Sequence, residues 1–158
     1  MEKERSPLRA ALYIRTSTTK QEESIKIQEE RLRSYCKAKR YEVYDIYKDE
    51  GLSGATIEIR TELKRMMKDV EKRKFDVIIV THMDRFARST KDLLVLIEKL
   101  NIYKVKFSTI DQPIDTTTPD GEMFITILGA IADFEKKLIL TRLSIGRERA
   151  KEKGKNLH

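Results

Sequence analysis

The feature that most limits what this chain can become lies toward its carboxyl end. Thr118, Pro119 and Asp120 make a helix start, because proline fits the first helical turn and an acidic side chain suits the positive end of the helix dipole. The helical pattern then continues to about Lys153 with no internal proline. At about 1.5 Å per residue such a helix reaches roughly 45 to 50 Å, longer than the diameter of a small domain, so it must project. In its first half Phe124, Ile127, Leu128, Ile131, Phe134 and Leu138 recur at spacings of three and four, a seam that needs an apolar partner surface. A second subunit is the obvious candidate, and packing within the same subunit is the plainer one. Its second half turns basic through Arg142, Arg147, Arg149, Lys151, Lys153 and Lys155, so subunit contact can pass into phosphate contact along one helix. A solvated helix face would carry the same charges.

Ahead of this helix the pattern alternates. Ala10 to Ile14 is apolar and β-prone and leads into the polar group Arg15 to Gln21. Ile25, Gln28, Leu32, Tyr35 and Cys36 then recur at helical spacing between Ser24 and Arg40, with Ser24 placed to cap the start and Gln28 on or beside the buried face. Tyr41 to Lys48 suits a strand that ends at Asp49-Glu50-Gly51-Leu52-Ser53-Gly54, expected as a loop whose glycines permit positive φ. Thr61 to Arg73 is a helix on Leu63, Met66, Met67 and Val70, and Phe75 to Val80 is the continuous apolar run of a buried parallel strand. A second site loop is expected from Thr81. Ser89 and Asp92 stand in capping-box spacing before a helix to Tyr103, and Val105 to Ile110 is the next strand. This succession predicts an α/β domain with a mostly parallel central sheet flanked by helices, its site loops at the strand carboxyl ends, followed by the long projecting helix.

At 158 residues the chain fits one compact domain with a projecting element. Its 33 Lys plus Arg against 26 Asp plus Glu give a formal charge of +7, which favours a polyanion without identifying one. Cys36 is alone, the start carries no apolar signal core, and no apolar run spans a bilayer, so a reducing cytoplasm is expected.

Three arginine-bearing segments fall where strand ends should gather: Arg15 with Ser17, Arg60 after the glycine segment, and Asp84-Arg85-Phe86-Ala87-Arg88. A serine among guanidiniums suits phosphoryl transfer. The planar fork holds phosphate oxygens in pairs, stabilises a five-coordinate transition state, and eases deprotonation of a nearby hydroxyl. No metal is then required, and His82, His158 and Cys36 show no metal-ligand spacing. The absence of a G-x-S-x-G elbow argues against a Ser-His-Asp hydrolase, and His82 reads as structural. Taken singly, Ser17 reads as a turn residue, each arginine as a solvated charge, Asp84 as an ion-pair partner and Gln28 as a polar residue at a core edge.

The string Tyr13-Ile14-Arg15-Thr16-Ser17-Thr18, with Gln21 and Gln28, resembles the nucleophile motif of the resolvase and invertase family of serine site-specific recombinases. Gly54 and Arg60, the Asp84-Arg85 and Arg88 group, Gly121-Glu122-Met123 and Ala130-Ile131-Ala132-Asp133-Phe134-Glu135 follow in the family's order, so the resemblance spans about residues 8 to 150. It implies a resolvase-like fold and Ser17 as nucleophile, with Arg15, Arg60, Arg85 and Arg88 around the scissile phosphate. Asp84 would orient arginines or shuttle a proton, and Gln28 would support the site. The implied reaction cuts and rejoins double-stranded DNA through 5′-phosphoserine bonds, without metal, ATP or other cofactor. The implied assembly is a homodimer and a synaptic homotetramer built on the long helix, with a cytoplasmic, nucleoid-associated location.

Where the family commonly has Glu-Arg on that helix this chain has Glu135-Lys136, and Lys loses the bidentate fork. Glu135, Lys136, Arg142 and Arg147 are therefore expected in DNA or subunit contact. The expected organisation is a catalytic core over 1–120 and a helix for oligomerisation and DNA contact over 121–158, with the family's carboxyl-terminal DNA-binding region lying outside this chain. The leader and Tyr41 to Ser53 are closer to the large integrase and transposase branch than to small resolvases. Two rivals stand beside this reading: an inactive recombinase-like module that only pairs subunits or regulates, and a phosphatase or nuclease with water as acceptor.

Overall fold

A computed structural model describes residues 6–17, 23–52 and 60–155. Thr18, Gln21, Ser53, Gly54 and His158, singled out above, lie outside the described residues. The elements run β1 (Arg9–Ser17), α1 (Ile25–Lys39), β2 (Glu42–Leu52), α2 (Thr61–Glu71), β3 (Val77–Val80), α3 (Met83–Phe86), α4 (Thr90–Ile102), β4 (Lys106–Thr109) and α5 (Pro119–Lys155). The four-stranded sheet is parallel throughout, in the order β2-β1-β3-β4.

Alternation along β1 divides the core in two. Ala10, Leu12 and Ile14 face Leu32 and Cys36 of α1, while Ala11 and Tyr13 face Met66 and Val70 of α2, Phe86 of α3 and Leu93, Ile97 and Leu100 of α4. The sheet is thus sandwiched, with α1 on one side and α2, α3 and α4 on the other. The strand order explains this division. The chain steps from β1 outward to β2, then crosses back to β3 and β4, and right-handed crossovers in opposite directions place their helices on opposite faces. The reversal between β1 and β3 opens a crevice at their carboxyl ends, the usual site position in such sheets.

The caps behave as the sequence predicts. Ser24 Oγ accepts from Ile27 N at 3.2 Å, and Ser89 Oγ accepts from Asp92 N at 3.1 Å. Two local features differ from expectation. The segment at Asp49 remains in β2 through Leu52, because it stays paired with β1 across a bulge: Arg15 faces Asp49 and Ser17 faces Leu52, so β2 carries one extra residue there. Gly51 takes φ +69° in this bulge and donates its N–H to Thr16 Oγ1 at 3.3 Å. The segment after Thr81 contains the short helix α3, whose four residues are too few to show a period.

The long helix starts at Pro119, within the expected Thr118-Pro119-Asp120 start, and spans 37 residues, about 55 Å, ending two residues past the expected Lys153. Its base rests on the core through Phe124 and Ile125. Beyond that, Ile127, Ile131, Phe134 and Leu138 of the predicted seam are exposed. A groove of about 820 Å³ runs between α4 and α5, lined by Leu94, Val95, Leu128, Ile131, Ile139 and Leu140. No helix among the described residues is long and apolar enough to cross a membrane.

Candidate active site at the β1 and β3 carboxyl ends

Residues 13, 15 and 17 share one face of β1, so the row that begins in the core with Tyr13 continues outward as Arg15 and Ser17. Ser17 is the last residue of the strand and is half-buried. Across the crevice, β3 ends at Val80 and α3 carries Asp84 and Arg85. The two halves are laced together. Arg15 Nη2 donates to the Asp84 carbonyl at 2.8 Å, and Arg85 Nη1 donates to the Arg15 carbonyl at 3.3 Å.

Gln28, fully buried on the inner face of α1, supports the same carbonyl from below. Its Nε2 donates to Glu23 O at 2.8 Å and to Arg15 O at 3.4 Å, while its Oε1 is buried with no hydrogen-bond partner among the described residues. His82 caps α3: its Nδ1 lies 3.5 Å from Asp84 N and 3.1 Å from Asp84 Oδ1. The Asp84 carboxylate is exposed and 4.0 Å from Arg85 Nε.

Arg60, immediately before α2, is committed to the protein's own acceptors. Its Nε and Nη2 donate to the Tyr13 hydroxyl at 3.2 and 3.0 Å, Nη1 to Phe86 O at 2.9 Å, and Nη2 also to Arg85 O at 2.8 Å. Four donor contacts leave little of a five-donor guanidinium for a ligand, so Arg60 braces the turn that carries Arg85. Arg88 contrasts with it: exposed just beyond α3, it makes no hydrogen bond or ion pair among the described residues. Of the site residues predicted on the core, Arg15, Gln28, Arg60, Asp84 and Arg85 are therefore joined by contacts at the carboxyl end of the sheet, with Ser17 closing β1 and Arg88 exposed two residues after α3. Glu135, Lys136, Arg142 and Arg147 lie apart from them, exposed along α5, with Glu135 and Lys136 on the wall of the α4–α5 groove.

Two further residues join this network without a site motif of their own. Tyr13 stands within the serine motif, four residues before Ser17 and on the same strand face. Asp49 gave no signal. The Tyr13 hydroxyl donates to Asp49 Oδ2 at 2.6 Å, and the same carboxylate caps α2 from β2, accepting from Glu62 N at 3.0 Å and Leu63 N at 3.1 Å. Arg60, the residue at the cap position, supplies no capping bond itself. Burial pushes the Tyr13 phenol well above its ordinary range; the Arg60 charge opposes that shift and the Asp49 carboxylate adds to it. The phenol therefore stays protonated and can serve Asp49 as donor and Arg60 as acceptor together. No group of three or more metal-ligating side chains occurs among the described residues.

The family described as "Resolvase, N terminal domain" matches residues 10–156. The chain belongs to the resolvase family. Among curated proteins, this resolvase-family domain is 39% identical over 110 residues to the "Probable DNA-invertase y4cG" of Sinorhizobium fredii, covering 70% of this chain and 35% of that one. It is 35% identical over 107 residues to the serine recombinase gin of Escherichia phage Mu, covering 68% of this chain and 54% of that one. The domain thus spans from about a third to about half of the length of these two relatives. Among solved structures, the N-terminal catalytic domain of TP901-1 integrase superposes with a TM-score of 0.75 at 38% identity, covering 82% of this chain and 98% of that one. The resolvase-like fold expected from the motifs is the fold found.

Proposed function

We propose that this domain cuts and rejoins DNA at specific sites, with Ser17 as the nucleophile. The observation that carries the reading is the lacing of Arg15 to Asp84 and of Arg85 to Arg15 at the end of the strand that terminates in Ser17. These contacts anchor Arg15 and Arg85 at the carboxyl end of β1, the strand whose last residue is the half-buried Ser17. The family relationship supports site-specific DNA recombination as the overall activity.

In the proposed reaction Ser17 Oγ attacks the scissile phosphorus as its proton leaves. The bond from phosphorus to the 3′-oxygen breaks, that oxygen takes up a proton, and the phosphate stays on Ser17 as a 5′-phosphoserine ester. Arg15, Arg85 and Arg88 hold the non-bridging oxygens and stabilise the charge of the five-coordinate transition state. Arg60 holds the Arg85 turn in place, Gln28 braces the Arg15 carbonyl, and Asp84 orients arginines or carries a proton. Rejoining reverses the step with a new 3′-hydroxyl, and because the ester conserves the phosphodiester's energy neither ATP nor a metal is needed. The family resemblance further implies a two-base stagger and exchange by subunit rotation. The partners are double-stranded DNA and copies of the same protein, as a homodimer and then a synaptic tetramer joined along α5, in the nucleoid. The core over 1–120 performs the chemistry; the helix over 121–158 joins subunits and contacts DNA through Glu135, Lys136, Arg142 and Arg147.

The test is a denaturing gel of the protein mixed with DNA carrying its recombination site and a nick that traps cleavage, run for wild-type and Ser17→Ala. A covalent adduct on the 5′ end that requires Ser17 is the expected result. Cleaved DNA without an adduct would transfer the domain to the nuclease class, and DNA binding with neither would make it an inactive pairing module.

A further inference from the structure

Arg31, on α1, makes none of the contacts of the site described above, yet it joins two segments that brace it. Its Nη1 spans both carboxylate oxygens of Glu23 at 3.1 and 2.8 Å, and its Nη2 bonds Asp111 Oδ1, in the loop after β4. The Asp111 bond, with the Glu23 charge, holds the guanidinium firmly protonated against the cost of its partial burial. Each anchored residue continues into the site. Glu23 O receives Gln28 Nε2, whose amide also reaches the Arg15 carbonyl. Gln112, next to Asp111, accepts the Met83 N–H through Oε1 at 2.8 Å and so fixes the first residue of α3, which carries Asp84 and Arg85. The Asp111 N–H is itself tied to Thr81 O at 3.0 Å, and Thr109 Oγ1 donates to Gln112 O at 3.0 Å.

These contacts close a ring: Arg15, Asp84 and Arg85, Met83, Gln112, Asp111, Arg31, Glu23, Gln28, and back to Arg15. We propose that Arg31 is a positioning residue that sets the serine-bearing strand end against the arginine-bearing turn by holding Glu23 and Asp111 together. The proposal rests on the phosphoserine reading for its catalytic consequence, though not for the ring itself. Arg31 is the link best suited to this, because one planar fork addresses two carboxylates at once. Removing it does more than delete a bond: it leaves two carboxylates facing each other without a counter-charge, which drives Glu23 and Asp111 apart. All three side chains are about one-third exposed, so solvent screening limits the effect on overall stability. Catalysis is far more sensitive to such displacement than folding is, since a misplacement of about 1 Å can cost on the order of a hundredfold in rate.

The experiment compares wild-type, Arg31→Met, Arg31→Lys and Arg9→Met. Arg9 pairs with Asp76 at the opposite edge of the sheet and controls for the loss of an ion pair as such. At saturating DNA, Arg31→Met should form the Ser17 adduct roughly tenfold or more slowly with DNA affinity nearly unchanged, Arg31→Lys should recover part of the rate, and Arg9→Met should match wild-type. A wild-type rate in Arg31→Met, or equal slowing in Arg9→Met, would overturn the proposal.

A second readout needs no DNA chemistry. In a Ser17→Cys background the thiol's acidity reports its placement among the guanidiniums, and the native Cys36 stays silent because burial pushes its thiol up to about 11. Adding Arg31→Met should slow alkylation of Cys at position 17 at neutral pH by about threefold or more, through a raised thiol pKa. An unchanged alkylation profile rejects the ring. A shifted profile, together with no adduct from the protein that retains Ser17, keeps the ring and discards the phosphoserine reading.

Discussion

The Tyr13 hydroxyl donates a hydrogen bond to Asp49 Oδ2 at 2.6 Å and accepts two from the Arg60 guanidinium. One phenol thereby couples the cap of α2 to the guanidinium that holds the Arg85 turn. Tyr13→Phe keeps the ring packed against Phe86 but strands Arg60 Nε and removes one of the partners of a buried carboxylate. The expected loss is about 1 to 3 kcal/mol of stability, read from urea unfolding, because polar groups left buried without partners retain their desolvation cost. Unfolding indistinguishable from wild-type would mean that the hydroxyl is dispensable to both neighbours.

Alkaline pH tests the same chemistry by titration. Burial raises the phenols of Tyr13 and Tyr47 above the ordinary value of 10.0, and Tyr47 is further held by its 2.6 Å bond to Asp69. Since the folded values exceed the unfolded ones, the unfolded chain loses these protons first. The stabilisation is complete below about pH 10 and declines as pH rises through the raised values. The urea midpoint of the wild-type protein should therefore fall above pH 10, and Tyr47→Phe should fall less steeply. Parallel profiles for the two proteins would show that Tyr47 does not contribute to the decline.

Much of this arrangement was legible because it is local. Ser24 and Ser89 announce helices that begin at the very next residue, and Phe75 to Val80 is apolar enough to be a central strand. The strand end that carries Arg15 and Ser17 and the turn that carries Asp84 and Arg85 are each contained in one short motif. What was not legible depends on distance. Asp49 caps a helix that begins at Thr61, and Arg31 bonds a residue 80 positions away. Neither pairing leaves a trace in periodicity, because only the fold brings the partners together. The end of β2 departs from the expected loop for a related reason: Gly51 resembles a loop glycine, whereas it occupies a bulge that keeps the strand paired as far as Ser17.

Arg60 and Arg88, equivalent in the sequence, should separate when mutated. Arg60→Ala removes four donor contacts to buried or half-buried acceptors and should cost about 2 kcal/mol of stability together with activity. Arg88→Ala should change stability by no more than about 0.5 kcal/mol, as an exposed side chain, while slowing adduct formation about a hundredfold or more. Chemical denaturation beside single-turnover cleavage measures both. If Arg88→Ala retained full cleavage, Arg88 would be only a surface charge.

Gly121 has a purely steric reason for its place in the family motif. A Cβ added there would stand 1.7 Å from Asp115 O, with the Asp115 carbon and nitrogen also inside contact distance, and all three are backbone atoms that cannot swing away. Gly121→Ala should therefore lower stability by about 1 to 3 kcal/mol through a forced shift at the base of α5. Gly129→Ala, where an added Cβ meets nothing within 4 Å, should gain about 0.5 to 1 kcal/mol from helix propensity. Equal effects at the two positions would contradict the close approach of Asp115 to the helix.

The exposed basic half of α5 predicts how the protein should meet DNA. Arg142 and Arg147 project into solvent on a helix that extends away from the core, and the chain carries a formal charge of +7. Binding by phosphate neutralisation releases counterions, so affinity for non-specific duplex should fall steeply with salt, each phosphate contact adding roughly 0.9 to the log-log slope. Arg142→Ala and Arg147→Ala should each lower that slope by about 1 and weaken binding alike across unrelated sequences, as expected of contacts that read the backbone rather than the bases. Filter binding or fluorescence anisotropy over a salt series measures the slope directly. A slope that survives both substitutions would move the phosphate contacts off this part of the helix, leaving its basic face as solvated charge.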